Sequence, residues 1–288
     1  MTRSVVLGVD SSTQSTKVLA LDVETGEVVG SGRAPHSGAD IQSPEEWWQA
    51  LALAVRQVLS SGIEVKAISV AGQQHGCVLI DAKGEVVRPA PLWNNVASAP
   101  DAEQLNAMAD FSAEVGSLLV ASFTITKLAH ISRTVKEDIS RTAAVGLPHD
   151  WLNFRLTGEL TTDRGDASGT GWWSPRDGEY RRDLLALAVG EDDAGRINLP
   201  ILRGPEEPAS LLSKLAANAL GLPAGIPVGP GTGDNMAAAL GVGAKPGEII
   251  ISLGTSGTAF AVSETPTSDP TGEVAGFADA TGRFLPLA

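Results

Sequence analysis

Disulfide chemistry is excluded first. The 288 residues hold one cysteine, Cys77, so no bridge can form within the chain; a lone cysteine of this kind is expected as a small buried hydrophobe. Positive charge is also scarce. Lys and Arg number 21 against 34 Asp and Glu, a formal net charge of −13. That balance argues against nucleic acid or an anionic membrane surface as the main partner. A phosphorylated ligand stays open, because backbone N–H groups bind phosphate without any basic patch. No apolar run reaches the ~18 residues of a membrane span. The start, MTRSVVLGVD, lacks the apolar core of a secretory signal. These features together lead us to expect a cytoplasmic setting. Common site motifs are missing as well: there is no G-x-G-x-x-G, no Gly-Lys of a Walker loop, no H-E-x-x-H and no G-x-S-x-G. The four histidines and the cysteine have no zinc spacing.

What is present begins with β-branched runs. Residues 5–9, 17–22 and 28–32 read as three strands joined by tight turns, an antiparallel meander. QSPEEWWQALALAVRQVLSS then reads as a helix. Ser43 suits the N-cap, Pro44 the first turn, and Glu46 a capping box. Trp47, Leu51, Ala54, Val55 and Val58 share one face, and Trp47 and Trp48 are expected to serve packing. A strand over 65–70 follows, so the helix is a crossover between parallel neighbours. Further on, 78–81 and 85–91 read as a hairpin. Residues 127–139, 150–156, 181–189 and 210–220 read as helices. GIPVGPGTGDNMAAALGVG reads strand, glycine turn, helix, and EIIISLGTSGTAFAVSE reads as two strands around GTSG. No repeat of solenoid period occurs.

Two loops share one design. DSSTQST, residues 10–16, and LGTSGT, residues 253–258, place Gly, Ser and Thr between strands. Such turns leave N–H groups free to cradle an anion, although an ordinary hairpin turn has the same residues. Asp10 precedes the first loop, where an acid can hold Mg²⁺ through water. In GPGTGDN, Asp234 follows a glycine turn and begins a helix, whose N-terminus should keep it ionised at neutral pH. A carboxylate there can accept a hydroxyl proton; it can equally be a plain cap.

Eight segments in order carry a resemblance: GVDSSTQSTK, AGQQHG, PLWNN, FTITKL, LPHDWLNFRLTGE, TDRGDASGTGWW, GTGDNMAAALGVG and SLGTSGTAFAVSE. They span nearly the whole chain, which resembles the FGGY carbohydrate kinases. The resemblance implies an α/β, ribonuclease-H-like (actin-like ATPase) fold with a mixed β-sheet and flanking helices. It implies phosphorylation of a sugar, a ketopentose and D-xylulose first, with ATP and Mg²⁺ as cofactors. Position by position, Asp234 matches the proton acceptor and Asp10 the acid beside Mg²⁺ and the transferred phosphate. Gln74 and His75 match the dipeptide lining the sugar, largely through backbone, and Asn235 is a neighbouring contact. Ser12, Thr13 and the Gly254, Thr255, Ser256, Gly257 turn match phosphate-facing loops. Trp93 is either a wall of the sugar site or core. His75 is expected as a solvated loop residue rather than a general base, and Asp166 as a turn acid. A small-molecule partner is expected, with a homodimer left open.

The chain also departs from the family pattern. Asn95 and Ala97 stand where the family commonly has an acid and an arginine, and His130 where it prefers Trp. Residues 1–243 are expected to form the sugar-binding domain and 244–288 the opening hairpin of an incomplete ATP-binding domain, so that this polypeptide alone binds sugar without turning over. Rival readings are a kinase for ribulose, gluconate or glycerol, a non-catalytic sugar-binding fragment, or a chaperone-like ATPase. The last gives no reason for AGQQHG and GTGDN.

Overall fold

In the computed structural model the described residues are 2–59, 62–253 and 257–288. The opening meander forms as expected: β1 (Arg3–Ser11), β2 (Ser15–Asp22) and β3 (Val28–Pro35) pair antiparallel in sequence order. The period-2 pattern of β1 sends Val5, Leu7 and Val9 into the core. Against these strands lies α1 (Pro44–Val58), with Trp47, Leu51, Ala54, Val55 and Val58 all buried. Leu51, Val55 and Val58 are each worth roughly 1.5–3 kcal/mol as an upper figure, and the Ala54 methyl about 0.8 kcal/mol. The helix sits so close that a Cβ on Gly32 of β3 would lie 2.1 Å from the Ala54 carbonyl oxygen; glycine is what lets the backbones approach.

The capping box does not form. Ser43 makes no side-chain cap bond, and the Glu46 carboxylate instead accepts the N–H of Ser37. The chain then enters the strand Ile63–Gly72, parallel to β1, with Val9 opposite Val70, Asp10 opposite Ala71 and Ser11 opposite Gly72. On its other side it pairs in parallel with two short strands, Pro227–Val228 and Thr232–Gly233. The sheet is therefore mixed, as the ribonuclease-H-like arrangement requires, and β1, Ile63–Gly72 and Thr232–Gly233 end at one edge.

Elsewhere the structure corrects the sequence reading in four places. The helix expected over 127–139 breaks at Val135 (φ −138°, ψ 64°) into Thr124–Thr134 and Lys136–Arg141. Ser210–Leu211 is a strand, and its helix starts only at Lys214, where the Ser213 hydroxyl accepts the Ala216 N–H. Val78–Asp81 pairs with Thr142–Gly146, and the expected hairpin partner contributes a single bridge, Ile80 to Val86. The helix Ala99–Met108 was not anticipated.

The tail forms more than a hairpin. Ile249–Leu253 and Gly257–Ala261 pair as expected, and Phe284–Leu287 and Ala275–Ala278 extend them to four strands. Phe260, Val262, Phe277 and Leu285 share one buried cluster with Cys77, Phe111, Leu128 and Met236, so this sheet has no core of its own. Cys77 is buried, and burial pushes its thiol up to about 12. Among the described residues, no helix is long and apolar enough to cross a membrane.

Candidate active site

The site lies where the three parallel strands end, the edge at which open α/β sheets bind ligands. Asp10 is the penultimate residue of β1. Its Oδ2 accepts from Lys17 Nζ at 3.0 Å, and both side chains are largely exposed. The loop beyond is tied down on every side. The Ser12 N–H and hydroxyl both donate to the Ser15 carbonyl. Thr13 Oγ1 donates to Gln73 Oε1 at 3.1 Å and accepts from Trp93 Nε1 at 2.9 Å. Gln42 Nε2 donates to the Thr13 carbonyl while its Oε1 accepts from the buried Trp47 ring N–H. Trp93 is 41% exposed, so it is not core: it stands over the loop.

Beside this lies the second acid. Gly233 is the N-cap of the helix Asp234–Gly241, and Asp234 is its first residue rather than its cap. The Asp234 Oδ1 accepts the N–H of Asn235 at 2.8 Å and its side-chain amide at 3.2 Å. That amide also donates to Gln74 Oε1 at 2.8 Å. Burial pushes the Asp234 carboxyl up to about 6; the Asn235 N–H opposes this and the negative charge of Asp10 reinforces it. The helix N-terminus alone would have lowered it, so desolvation wins. At pH 7 the group is still ionised in about nine molecules of ten, which makes it a stronger base than an ordinary aspartate. Asp10 and Asp234 lie two strands apart, roughly 10 Å by the usual ~4.8 Å strand spacing, and the charge of Asp10 adds to the upward shift of Asp234.

Asp10, Thr13, Gln74, Trp93, Asn235 and Asp234 are thus brought to one edge. His75 is close by but is not solvated as expected. Its backbone is left-handed at φ 65°. Its Nδ1–H donates to the Gly169 carbonyl, and the ring packs between Phe123 and Phe277, 5.1 and 5.5 Å away between centroids. Burial lowers its pKa to about 4, so the ring is neutral. In the second loop, Gly254, Thr255 and Ser256 lie outside the described residues; Gly257 opens its strand opposite Leu253, both exposed.

Three features were missed. Gln73 and Gln74 are buried, and the Nε2 of each has no partner among the described residues. An unpaired buried donor costs about 1–3 kcal/mol, which a ligand oxygen would relieve; the adjacent pair of glutamines after a strand was the available signal. Asn95 donates to Asp40 Oδ2 at 2.7 Å, so a carboxylate stands beside position 95 although the residue itself is an amide. Asp166, read as a turn acid, is fully buried and bonded to His149. At the other departure, His130 joins Arg133 on Asp101.

The sequence matches the FGGY family of carbohydrate kinases, N-terminal domain, over residues 5–241. Xylulose kinases of Streptomyces rubiginosus and Streptomyces coelicolor are each 50% identical to it, over 98% of this chain and 59% of their own. The solved xylulose kinase from Bifidobacterium adolescentis superposes with a TM-score of 0.92 at 41% identity, covering 99% of this chain and 64% of that one. The chain thus spans about three fifths of the length of the curated relatives it matches. With a match across most of its residues, the chain belongs to the FGGY family of carbohydrate kinases and bears the fold of that family's N-terminal domain.

Proposed function

We propose that this chain binds the sugar acceptor of an ATP-dependent kinase and that the acceptor is a ketopentose, D-xylulose first, phosphorylated at its terminal hydroxyl. One observation carries the reading: a carboxylate with its pKa raised to about 6, Asp234, at the same sheet edge as the Asp10–Thr13 loop. The xylulose kinases among its relatives support the choice of sugar. Asp234 accepts the hydroxyl proton as the oxygen attacks the terminal phosphorus of ATP and the bond to ADP breaks. The Gln74 Nε2, which has no partner among the described residues, and Asn235 orient the acceptor. Trp93 walls the cleft. In this reading Ser12 and Thr13 face the phosphates; Gly257 is the described residue of the second loop, for which the family resemblance implies the same role, and Gly254, Thr255 and Ser256 lie outside the described residues.

Asp10 fits Mg²⁺. It is one exposed carboxylate at a strand end, and Mg²⁺ keeps most of its waters when bound by few protein oxygens. When bound, the ion neutralises charge on the phosphate oxygens. In this reading residues 1–243 form the sugar-binding domain and 244–288 begin the ATP-binding one, in a cytoplasmic protein. Whether it works as a homodimer is checked by light scattering.

Calorimetry with D-xylulose, paired with an assay of ADP formation, tests the proposal. Heat on adding the sugar, together with ADP released only when sugar is present, is the expected result. Sugar heat without ADP restricts this polypeptide to binding. No heat with D-xylulose, but heat with ribulose, gluconate or glycerol, would reassign the acceptor.

A further inference from the structure

His149 is fully buried, and so is Asp166 beside it. The histidine sits on the helix Pro148–Thr157. Its Nδ1 lies 3.0 Å from Asp166 Oδ2 and 3.2 Å from Asp150 Oδ1, and its Nε2 lies 2.8 Å from the Pro230 carbonyl oxygen. Both ring nitrogens therefore face acceptors. A neutral imidazole owns one N–H and would set its bare nitrogen against a lone pair unless the Asp166 carboxyl, pushed up to about 7 by burial, held the proton instead; the imidazolium has two N–H groups and satisfies both acceptors with Asp166 ionised.

The groups around it grip one short turn. Asn153 Nδ2 also donates to the Pro230 carbonyl, at 2.8 Å. Asp163 accepts the N–H groups of Gly165 and Asp166 on one side and the Thr232 hydroxyl, at 2.7 Å, on the other. Gly231 between them has φ +72°, and a Cβ there would lie 2.4 Å from the Val70 carbonyl and 2.7 Å from His149 Nε2. The turn thus rests on the ring itself, and Asp234 is two residues beyond Thr232.

We propose that His149 is a positioning residue: a buried imidazolium, balanced by Asp150 and Asp166, that clamps the Pro230–Thr232 turn and so fixes Asp234 opposite Asp10 and Gln74. Its consequence for phosphoryl transfer rests on the role proposed for Asp234; the charge state and the clamp do not. Burial alone would lower the basicity of His149, but the hydrogen bond to Asp166 and the adjacent carboxylate charges of Asp150 and Asp166 outweigh it and raise its pKa well above the ordinary value. Asp163 faces the same cation. The ligand atoms of His149, Asp150 and Asp166 also lie within 4.8 Å of one another, as in a metal site. Donor atoms 3.0 and 3.2 Å apart fit a direct ion pair; ligands held at about 2.1 Å around one ion would stand at similar separations, so chelation separates the two.

Nitrogen-detected NMR of the wild-type chain between pH 5 and 9 reads the charge directly. Both ring nitrogens of His149 should stay protonated throughout; a titration centred near ~6.5, the ordinary histidine value, overturns the proposal. So does a change of these signals on dialysis against EDTA, which would mark a metal instead. His149→Gln removes the charge, and His149→Lys keeps a cation with three donors. In the folded Gln variant the Asp234 carboxyl carbon should titrate at least half a pH unit away from wild type, and the Kd for D-xylulose should rise about tenfold; the Lys variant should restore both to within about twofold. A Gln variant that melts earlier with both readings unchanged reduces His149 to a structural role. If that variant does not fold, the Lys variant and the wild-type titration decide. Should wild type bind no D-xylulose, the functional reading fails, while the His149 and Asp234 titrations still test the clamp.

Discussion

At the scale of single residues, Asp234 pits function against stability. Its carboxyl titrates near 3.8 when unfolded and about 6 when folded, chiefly through burial. Between those values the native state holds more protons than the unfolded one, so this group's contribution to stability falls as pH rises from about 4 to about 6. Asp234→Asn removes the penalty while keeping an oxygen for the Asn235 N–H. It should stabilise the chain by about 1–3 kcal/mol at pH 7 and by almost nothing at pH 4, as read by urea melts at both pH values. If Asp234 is the proton acceptor, the same change should cut phosphorylation by roughly 10²–10⁴-fold. Equal stability of variant and wild type at pH 7 would show that the carboxylate is well solvated. Asp10 and Thr13 sit in a short strand–loop pattern whose chemistry can be read locally, whereas Gln74 and Asn235 came only with the family resemblance. His149 and Asp166 were readable in neither way. They are 17 residues apart, His149 meets Pro230 from 81 residues away, and neither has a local pattern that differs from an ordinary helix or turn.

At the scale of elements, periodicity carried what could be read. β1 and α1 announce themselves by period 2 and by one apolar helical face, and both face the core as their patterns require. Elements without an apolar stripe did not. Of the helix Ala99–Met108, only Asp101, Ala102 and Leu105 are buried, and Asp101 is gripped by His130 and Arg133 from the helix Thr124–Thr134, so an ion pair adds to a narrow apolar contact in docking it. The break at Val135 likewise has no Gly or Pro to signal it. Two glycines two strands apart test how α1 is seated. A methyl on Gly32 meets the Ala54 carbonyl at 2.1 Å, whereas one on Gly8 of β1 meets nothing within 4 Å. Gly32→Ala should therefore cost more than about 2 kcal/mol by forcing the helix off the sheet. Gly8→Ala should stay within about 0.5 kcal/mol of wild type or gain slightly. Similar urea midpoints for the two variants would contradict the close seating of α1.

Across the whole molecule, the tail and the site are one piece of packing. Phe277, from the four-stranded sheet, and Phe123, beside the helix Thr124–Thr134, enclose His75, which directly follows Gln74. Events in the tail sheet should therefore be reported by a ring at the site. Phe277→Ala should cost about 3–5 kcal/mol at pH 7 by opening a cavity, and water entering there should bring the His75 pKa from about 4 back toward its ordinary value near ~6.5. The sign of the pH dependence follows. In wild type His75 stays neutral when folded but protonates when unfolded between about pH 4 and 6.5, so the unfolded state binds more protons there and wild-type stability falls on acidification. The variant, with a more nearly ordinary His75, loses less over the same window. The cost of Phe277→Ala should accordingly be largest near pH 7 and shrink toward pH 4, while NMR follows the His75 midpoint upward. A cost that does not change with pH, with His75 still titrating near 4, would mean that Phe123 and the Gly169 carbonyl enclose the ring without help from the tail sheet.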